Sequence, residues 1–248
     1  MKAIVLRFDA PLMSFGGVTV DHHGVIDRFP GTAMLCGLLG NALGWGHAEY
    51  AKLQELQDRI AFAARWDVSP VPMVDYHTVD IGSAHMKEAG WTTHGAPEHR
   101  GGGVDAKYGT HQRLRHYWCN GLMTVVLSLT GSSSPTVEDL AAAIRSPARP
   151  LFLGRKTCLP ARPLLDPVTP LVEGDTLKTM LATIAVWQRE DTLSRKEVSY
   201  EVCWPGSDAD DGGAVMQVHD LRDWQNQVMR GTTLRAEGRI GRADVGLT

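Results

Sequence analysis

Apolar residues gather first at positions 2–9, where Ala3, Ile4, Val5, Leu6 and Phe8 form a nearly unbroken run ended by Pro11. Such a run predicts a buried strand. After the Gly16-Gly17 loop, Pro30-Gly31-Thr32 marks a helix start with Thr32 as N-cap. Leu35, Leu38, Leu39, Ala42 and Leu43 then fall on one helical face, to about residue 43. Gly37, Gly40 and Gly44 would each cost about 1 kcal/mol inside a helix, so a sheet or another backbone must approach closely there. Leu53, Leu56, Ile60 and Ala63 predict a second helix over 48–64.

A strand is predicted over 68–79, broken by Pro70 and Pro72. From 80 to 110 the chain is rich in Gly and His and poor in aliphatic residues. It cannot bury much apolar surface, so a protruding hairpin or loop is expected. Residues 112–129 return to strand character through Tyr117, Trp118, Leu122, Val125, Val126 and Leu127. Thr136 follows the 132–135 loop as N-cap of a helix over 137–144, with Glu138 and Asp139 in its first turn. Short strands are expected at 180–188, 198–204 and 215–218, with a polar acidic turn at 206–213. The order strand, helix, helix, strand, strand, helix predicts an α+β fold with helices on one face of an antiparallel sheet, followed by a small β-rich C-terminal subdomain.

Of the 248 residues, 43% are apolar and 21% charged, ordinary for a globular chain that buries a full core. No apolar run is long enough for a membrane helix, and Lys2 and Arg7 break any signal-peptide pattern, so a cytoplasmic protein is expected. Cys36, Cys119, Cys158 and Cys203 form no C-x-x-C pair and read as thiols rather than a zinc site. The formal net charge of -3 argues against gripping long nucleic acid through bulk charge. Charge is patterned, however: Arg145, Arg149, Arg155, Lys156 and Arg162 follow one another with no acid between. The ten histidines show no H-x-x-x-H or H-E-x-x-H spacing on a predicted helix, so neither metal nor cofactor is expected.

Two blocks carry a resemblance. L-R-F-D-A-P-L-M-S-F-G followed by F-P-G-T-A-M-L-C-G-L-L-G-N-A-L-G-W at the start, and R-P-L-F-L-G-R-K-T-C-L-P-A-R-P-L at 149–164, resemble the Cas-five (CasD) family of the RAMP superfamily. The second block looks closest to the type I-E branch. The resemblance implies an RRM-like (ferredoxin-like) domain at 1–165 with a β-hairpin thumb inserted at 80–115, and a small β-rich subdomain at 166–248. It implies a non-catalytic subunit of type I-E CRISPR Cascade. That subunit would bind the crRNA 5′ handle, cap the CasC-like backbone filament and support the CasA-like large PAM-reading subunit, meeting target DNA only indirectly.

Three groups of residues could contact RNA. In the basic block, Arg149, Arg155 and Lys156 can neutralise phosphates while Gly154 lets the backbone come close, although the same residues suit a plain basic surface turn. Ser14 and Gly16, with the helix start at Thr32, could seat a phosphate on free N–H groups, or could serve only tight packing. In the thumb, Lys107, Tyr108, His111, Arg113 and Arg115 interleave charge with rings, as suits splayed bases. The alternative is a metal-independent crRNA-processing endoribonuclease, as in type I-C relatives, with His116 as acid or base and Tyr50 or Lys107 assisting.

Overall fold

A computed structural model describes residues 1–17, 23–80, 90–91, 97–98, 110–189, 199–211 and 213–245. The apolar run forms β1 (Lys2–Asp9). Its alternate side chains enter two clusters, Ile4, Leu6 and Phe8 on one face and Ala3 and Val5 on the other. A strand covered on both faces reads as a continuous hydrophobic run rather than an alternation, which explains the pattern in the sequence.

Two helices follow, α1 (Thr32–Ala42) and α2 (Tyr50–Arg59), and then β2 (Ile60–Val68). Next come β3 (Val71–Asp80), β4 (Thr110–Cys119), β5 (Leu122–Leu129), α3 (Val137–Arg145) and β6 (Leu171–Glu173). The chain closes with α4 (Leu177–Thr183), β7 (Ser199–Pro205), β8 (Ala214–Val218) and β9 (Thr233–Gly241). The main sheet has the order β6-β1-β5-β2-β7-β9-β8. Its first four strands, all antiparallel, with helices between β1 and β2 and between β5 and β6, are the ferredoxin-like arrangement.

Helices α1, α2 and α3 cover one face, where Leu35, Leu39, Leu53, Leu56, Leu140 and Ile144 meet Ile4, Leu6 and Phe8. Each such side chain contributes about 1.5–3 kcal/mol by leaving water. Gly40 of α1 serves this packing: a Cβ there would stand 2.5 Å from Leu53 Cδ2 of α2. On the other face, Leu177, Met180 and Leu181 of α4 pack on Ala3, Val5 and Val126.

A buried ionic network completes that second face. Arg7 ion-pairs with Asp166 at 2.5 Å and Asp67 at 3.2 Å, and Arg65 with Asp67 at 2.6 Å. Arg65 also donates to the carbonyls of Leu181, Ile184 and Ala185, while the backbone N–H of Trp187 donates to Asp67. Every charge is therefore paired, the condition on which buried ions are tolerable. The network lashes residues 184–187 across the sheet.

Three sequence expectations need correction. The second helix ends at Arg59, not near 64, because Ile60–Val68 pairs with β5 and feeds both clusters. A strand buried on both faces offers no period that separates it from a helix. Residues 180–188 are not a strand: Thr176 caps α4 through Thr179, and Leu177, Met180 and Leu181 sit at helical spacing. The boundary expected at 165/166 does not hold either. β6, the fourth ferredoxin-like strand, lies beyond it, and β7 joins the same sheet through Val202↔Arg65 and Cys203↔Ala64. The β-rich C-terminal part thus extends the first sheet.

The chain separates into two compact units. The first is Met1–Val18, Ile26–Met73 and Tyr117–Thr248. The second is Thr19–Val25 with Val74–His116, and most of the hairpin thumb expected at 80–115 lies outside the described residues. In the second unit β3 pairs with β4, and His23–Gly24 runs parallel to Leu114–Arg115.

Candidate nucleic-acid interface

The basic block is fastened to β1 and to the turn that follows it. β6 covers only Lys2–Ile4 of β1, and the segment at 161–166 takes over the remaining edge. Arg7 N–H donates to Leu164 O, Asp166 N–H to Val5 O, and Ala161 N–H to Asp9 O. Further along, Ser14 N–H donates to Leu153 O at 3.0 Å. Leu153 N–H to Cys158 O and Cys158 N–H to Arg155 O, both 2.8 Å, close a tight turn.

Gly154 sits in that turn at φ +100°, and a Cβ there would stand 1.8 Å from Ser14 O. Only glycine fits. Two candidates far apart in sequence are therefore one surface. The Ser14 side chain is buried beneath it, and among the described residues its Oγ has no partner and nothing lies within 4 Å of a Cβ on the exposed Gly16.

Arg155 projects from the turn with its guanidinium 4.8 Å from the centroid of the buried Tyr117 ring. This cation–π contact places the guanidinium over the ring, with the exposed Lys156 next in the chain. Burial pushes the Cys158 thiol up, so it stays protonated and inert. The turn thus offers two cations, exposed backbone and a buried hydroxyl, a chemistry suited to the phosphates of a short single strand.

The family model described as "CRISPR-associated protein (Cas_Cas5)" matches residues 3–235. The chain belongs to this Cas5 family. It is 30% identical over 169 residues to "CRISPR system Cascade subunit CasD" of Escherichia coli (strain K12), covering 65% of this chain and 68% of that one. Among solved structures, it resembles a "CRISPR RNA-guided surveillance complex" chain at TM-score 0.65 and 18% identity, over 98% of this chain and 92% of that one. It also resembles "Crystal structure of Cas protein" at TM-score 0.65 and 18% identity, over 99% and 98%. The mixed α+β fold dominated by antiparallel sheet is the fold of these Cas structures.

Within the Cas5 fold, some sequence candidates change meaning. Thr32 is the first helical residue, with Gly31 as the N-cap. Its N–H and Oγ1 both donate to Asp220 Oδ2, at 2.8 and 2.7 Å. The helix N-terminus already holds a carboxylate, so Thr32 does not seat a phosphate. Arg149 donates to Trp45 O at 2.9 Å just beyond the end of α1, and Arg162 pairs with Asp9 at 2.8 Å and stacks on Trp187 at 5.0 Å. The run that reads as one cationic strip is dispersed in space.

In the second unit, Arg113 and Arg115 are exposed on β4, alternating with the half-buried Leu114 and His116. The His116 ring lies 6.2 Å from the His23 ring, tilted 46° to it. Lys107, Tyr108 and the His111 side chain lie outside the described residues. Tyr50, the first residue of α2, is 41% exposed and belongs to the first unit, whereas His116 belongs to the second. Among the described residues, no three His, Cys, Asp or Glu side chains gather as a metal site. Sequence reading missed Tyr117 as the platform for Arg155; a ring buried at the end of an otherwise polar strand is the signal that could have found it.

Proposed function

We propose that this chain is a non-catalytic, cytoplasmic subunit of a type I-E CRISPR Cascade that binds the crRNA 5′ handle through the Gly154–Lys156 turn. It caps a CasC-like backbone filament and supports a CasA-like large PAM-reading subunit, so that target DNA is met indirectly. The observation that carries the reading is the joining of Ser14, Gly154 and Arg155 into one surface with Lys156 exposed beside them. The similarity to a Cascade subunit CasD supports the assembly. Arg113 and Arg115, exposed on β4 of the second unit, are cations of the kind that contact RNA.

The test is handle retention after reconstitution of the complex. Arg155→Ala with Lys156→Ala should release the handle or expose it to nuclease, with the complex otherwise assembled. Unchanged loading and protection would refute the assignment. Absence of catalysis is tested separately with labelled repeat RNA in EDTA: the protein should leave it intact, and specific cleavage lost in His116→Ala would establish the endoribonuclease instead.

A further inference from the structure

The main sheet ends on β6 at one side and on β8 at the other. The two edges differ. β6 has only three residues, Leu171–Glu173, follows Pro170, and ends in a glutamate 3.5 Å from the Lys2 ammonium. A short strand flanked by proline and closed by a charge is a protected sheet edge. β8 has none of this protection. Its residues, Ala-Val-Met-Gln-Val, carry no charge and no proline, and they pair with β9 from Ala214↔Glu237 to Val218↔Thr233 without a bulge. Among the described residues no strand pairs with its outer edge.

Apolar side chains stand beside that edge. Val215 is 49% exposed, Met216 39%, and Leu234 of β9 61%. Gln217 faces Leu234 across the ladder, so Val215 and Leu234 are diagonal neighbours on one face of the sheet, and Met216 lies on the other. Along β8 the N–H and C=O groups turn alternately toward β9 and outward. A row of outward donors and acceptors with apolar groups on both sides of it is complementary to another extended strand.

Two observations select the source of that strand. Pairing with β8 of a second copy would bury on the order of a few hundred Å², well short of the roughly 1,200 Å² of a stable interface. The turn that leads into β8, Gly206–Asp211, contains Asp208, Asp210 and Asp211. These acids repel a phosphate backbone and favour lysine or arginine beside the Ala214 end of the edge. In antiparallel pairing that is the C-terminal end of the added strand.

We propose that β8 receives an extended, apolar segment of a protein partner as an added antiparallel strand with a basic C-terminal end. This docking edge is separate from the RNA-binding turn and does not depend on it.

The test is a ¹H–¹⁵N NMR titration of the full chain with the peptide acetyl-Thr-Val-Thr-Val-Lys-Lys-amide. Saturable shifts of the Val215–Val218 amides are expected. The same peptide N-methylated at its four core residues cannot donate to the edge and should bind at least tenfold more weakly. With Glu-Glu in place of Lys-Lys it should bind at least threefold more weakly. Val215→Lys, at an exposed position, adds the edge charge that β8 lacks. It should weaken binding at least fivefold with the urea midpoint and handle retention unchanged, which separates this assignment from the RNA reading. Sedimentation velocity tests the second copy: a dimer that Val215→Lys dissolves would assign the edge to self-pairing. That dimer, no saturable shift in β8, equal binding of either control peptide, or lost handle retention in Val215→Lys would each overturn the proposal.

Discussion

Gly154 lies so close to the backbone of Ser14 that a Cβ would meet the Ser14 carbonyl oxygen at 1.8 Å. This contact joins the loop after β1 to the basic turn, and it uses the one residue type without a Cβ at a φ of +100°. Gly154→Ala should destabilise the protein by at least about 2 kcal/mol, combining left-handed strain with displaced backbone. Urea denaturation reads the loss directly. An unchanged midpoint would mean that the turn is not held as described.

The dispersal of the basic run predicts unequal effects. Each neutralised phosphate on a single strand contributes about 0.7 to the log–log salt slope. Arg155→Ala with Lys156→Ala should flatten the slope of handle-RNA binding by about 1.4, whereas Arg149→Ala should leave it unchanged. Arg149 sits against Trp45 O, away from the turn that carries the other two. Fluorescence anisotropy across a salt series measures both.

Asp220 receives three hydrogen bonds, from Thr32 N–H, Thr32 Oγ1 and Thr233 Oγ1. It ties the start of α1 to the start of β9. Asp220→Ala should cost about 2–3 kcal/mol, the loss of a helix cap plus hydroxyls left unsatisfied in a buried site. Chemical denaturation monitored by tryptophan fluorescence is the measurement; a loss under about 0.5 kcal/mol would show that water replaces the carboxylate.

Two aspartates respond to pH in opposite directions. Burial alone would raise Asp166, but N–H groups of Thr169 and Val168 and the Arg7 guanidinium outweigh it and hold the carboxyl below its usual value. A folded pKa below the unfolded one gives stability that is complete above about pH 3.9 and is lost as pH falls through the folded value. Burial pushes Asp27 up, with Asp220 and Glu237 nearby adding to the rise and Arg235 opposing it. Its folded pKa lies above the unfolded one, so its charge costs stability at neutral pH, and the cost disappears in acid. Asp27→Asn should therefore raise the urea midpoint at pH 7 but not at pH 3. Asp166→Asn should lower it at pH 7, with the deficit shrinking as pH falls below about 3.9.

Local signals carried much of the fold. The β1 run, the Thr136 cap with Asp139 at the third helical position, and the strand at Ala214–Val218 all stand where their chemistry places them. Each is signalled by residues a few positions apart, although the two strands are held by distant partners. β9 escaped notice because its alternating face is weak: Leu234, Ala236 and Ile240 alternate with Arg235, Glu237 and Arg239, but Ala236 and Gly238 are small, Leu234 is exposed and Arg235 is buried. Arg65 and Asp67 likewise read as ordinary surface charges, yet they lie buried in the sheet beneath residues 184–187.

For the candidate site, residue chemistry alone pointed to Arg149, Gly154, Arg155 and Lys156 as a basic turn that could approach a phosphate or serve only as surface, on a chain without bulk positive charge. Which other residues share that surface was a tertiary decision. Sheet pairing and the 161–166 segment bring Ser14 beside Gly154, Tyr117 lies beneath Arg155, and Thr32, Arg149 and Arg162 are bonded to internal partners. The physical reason is that a residue's type sets what it can bind, while its burial and its long-range partners set whether that capacity is still available.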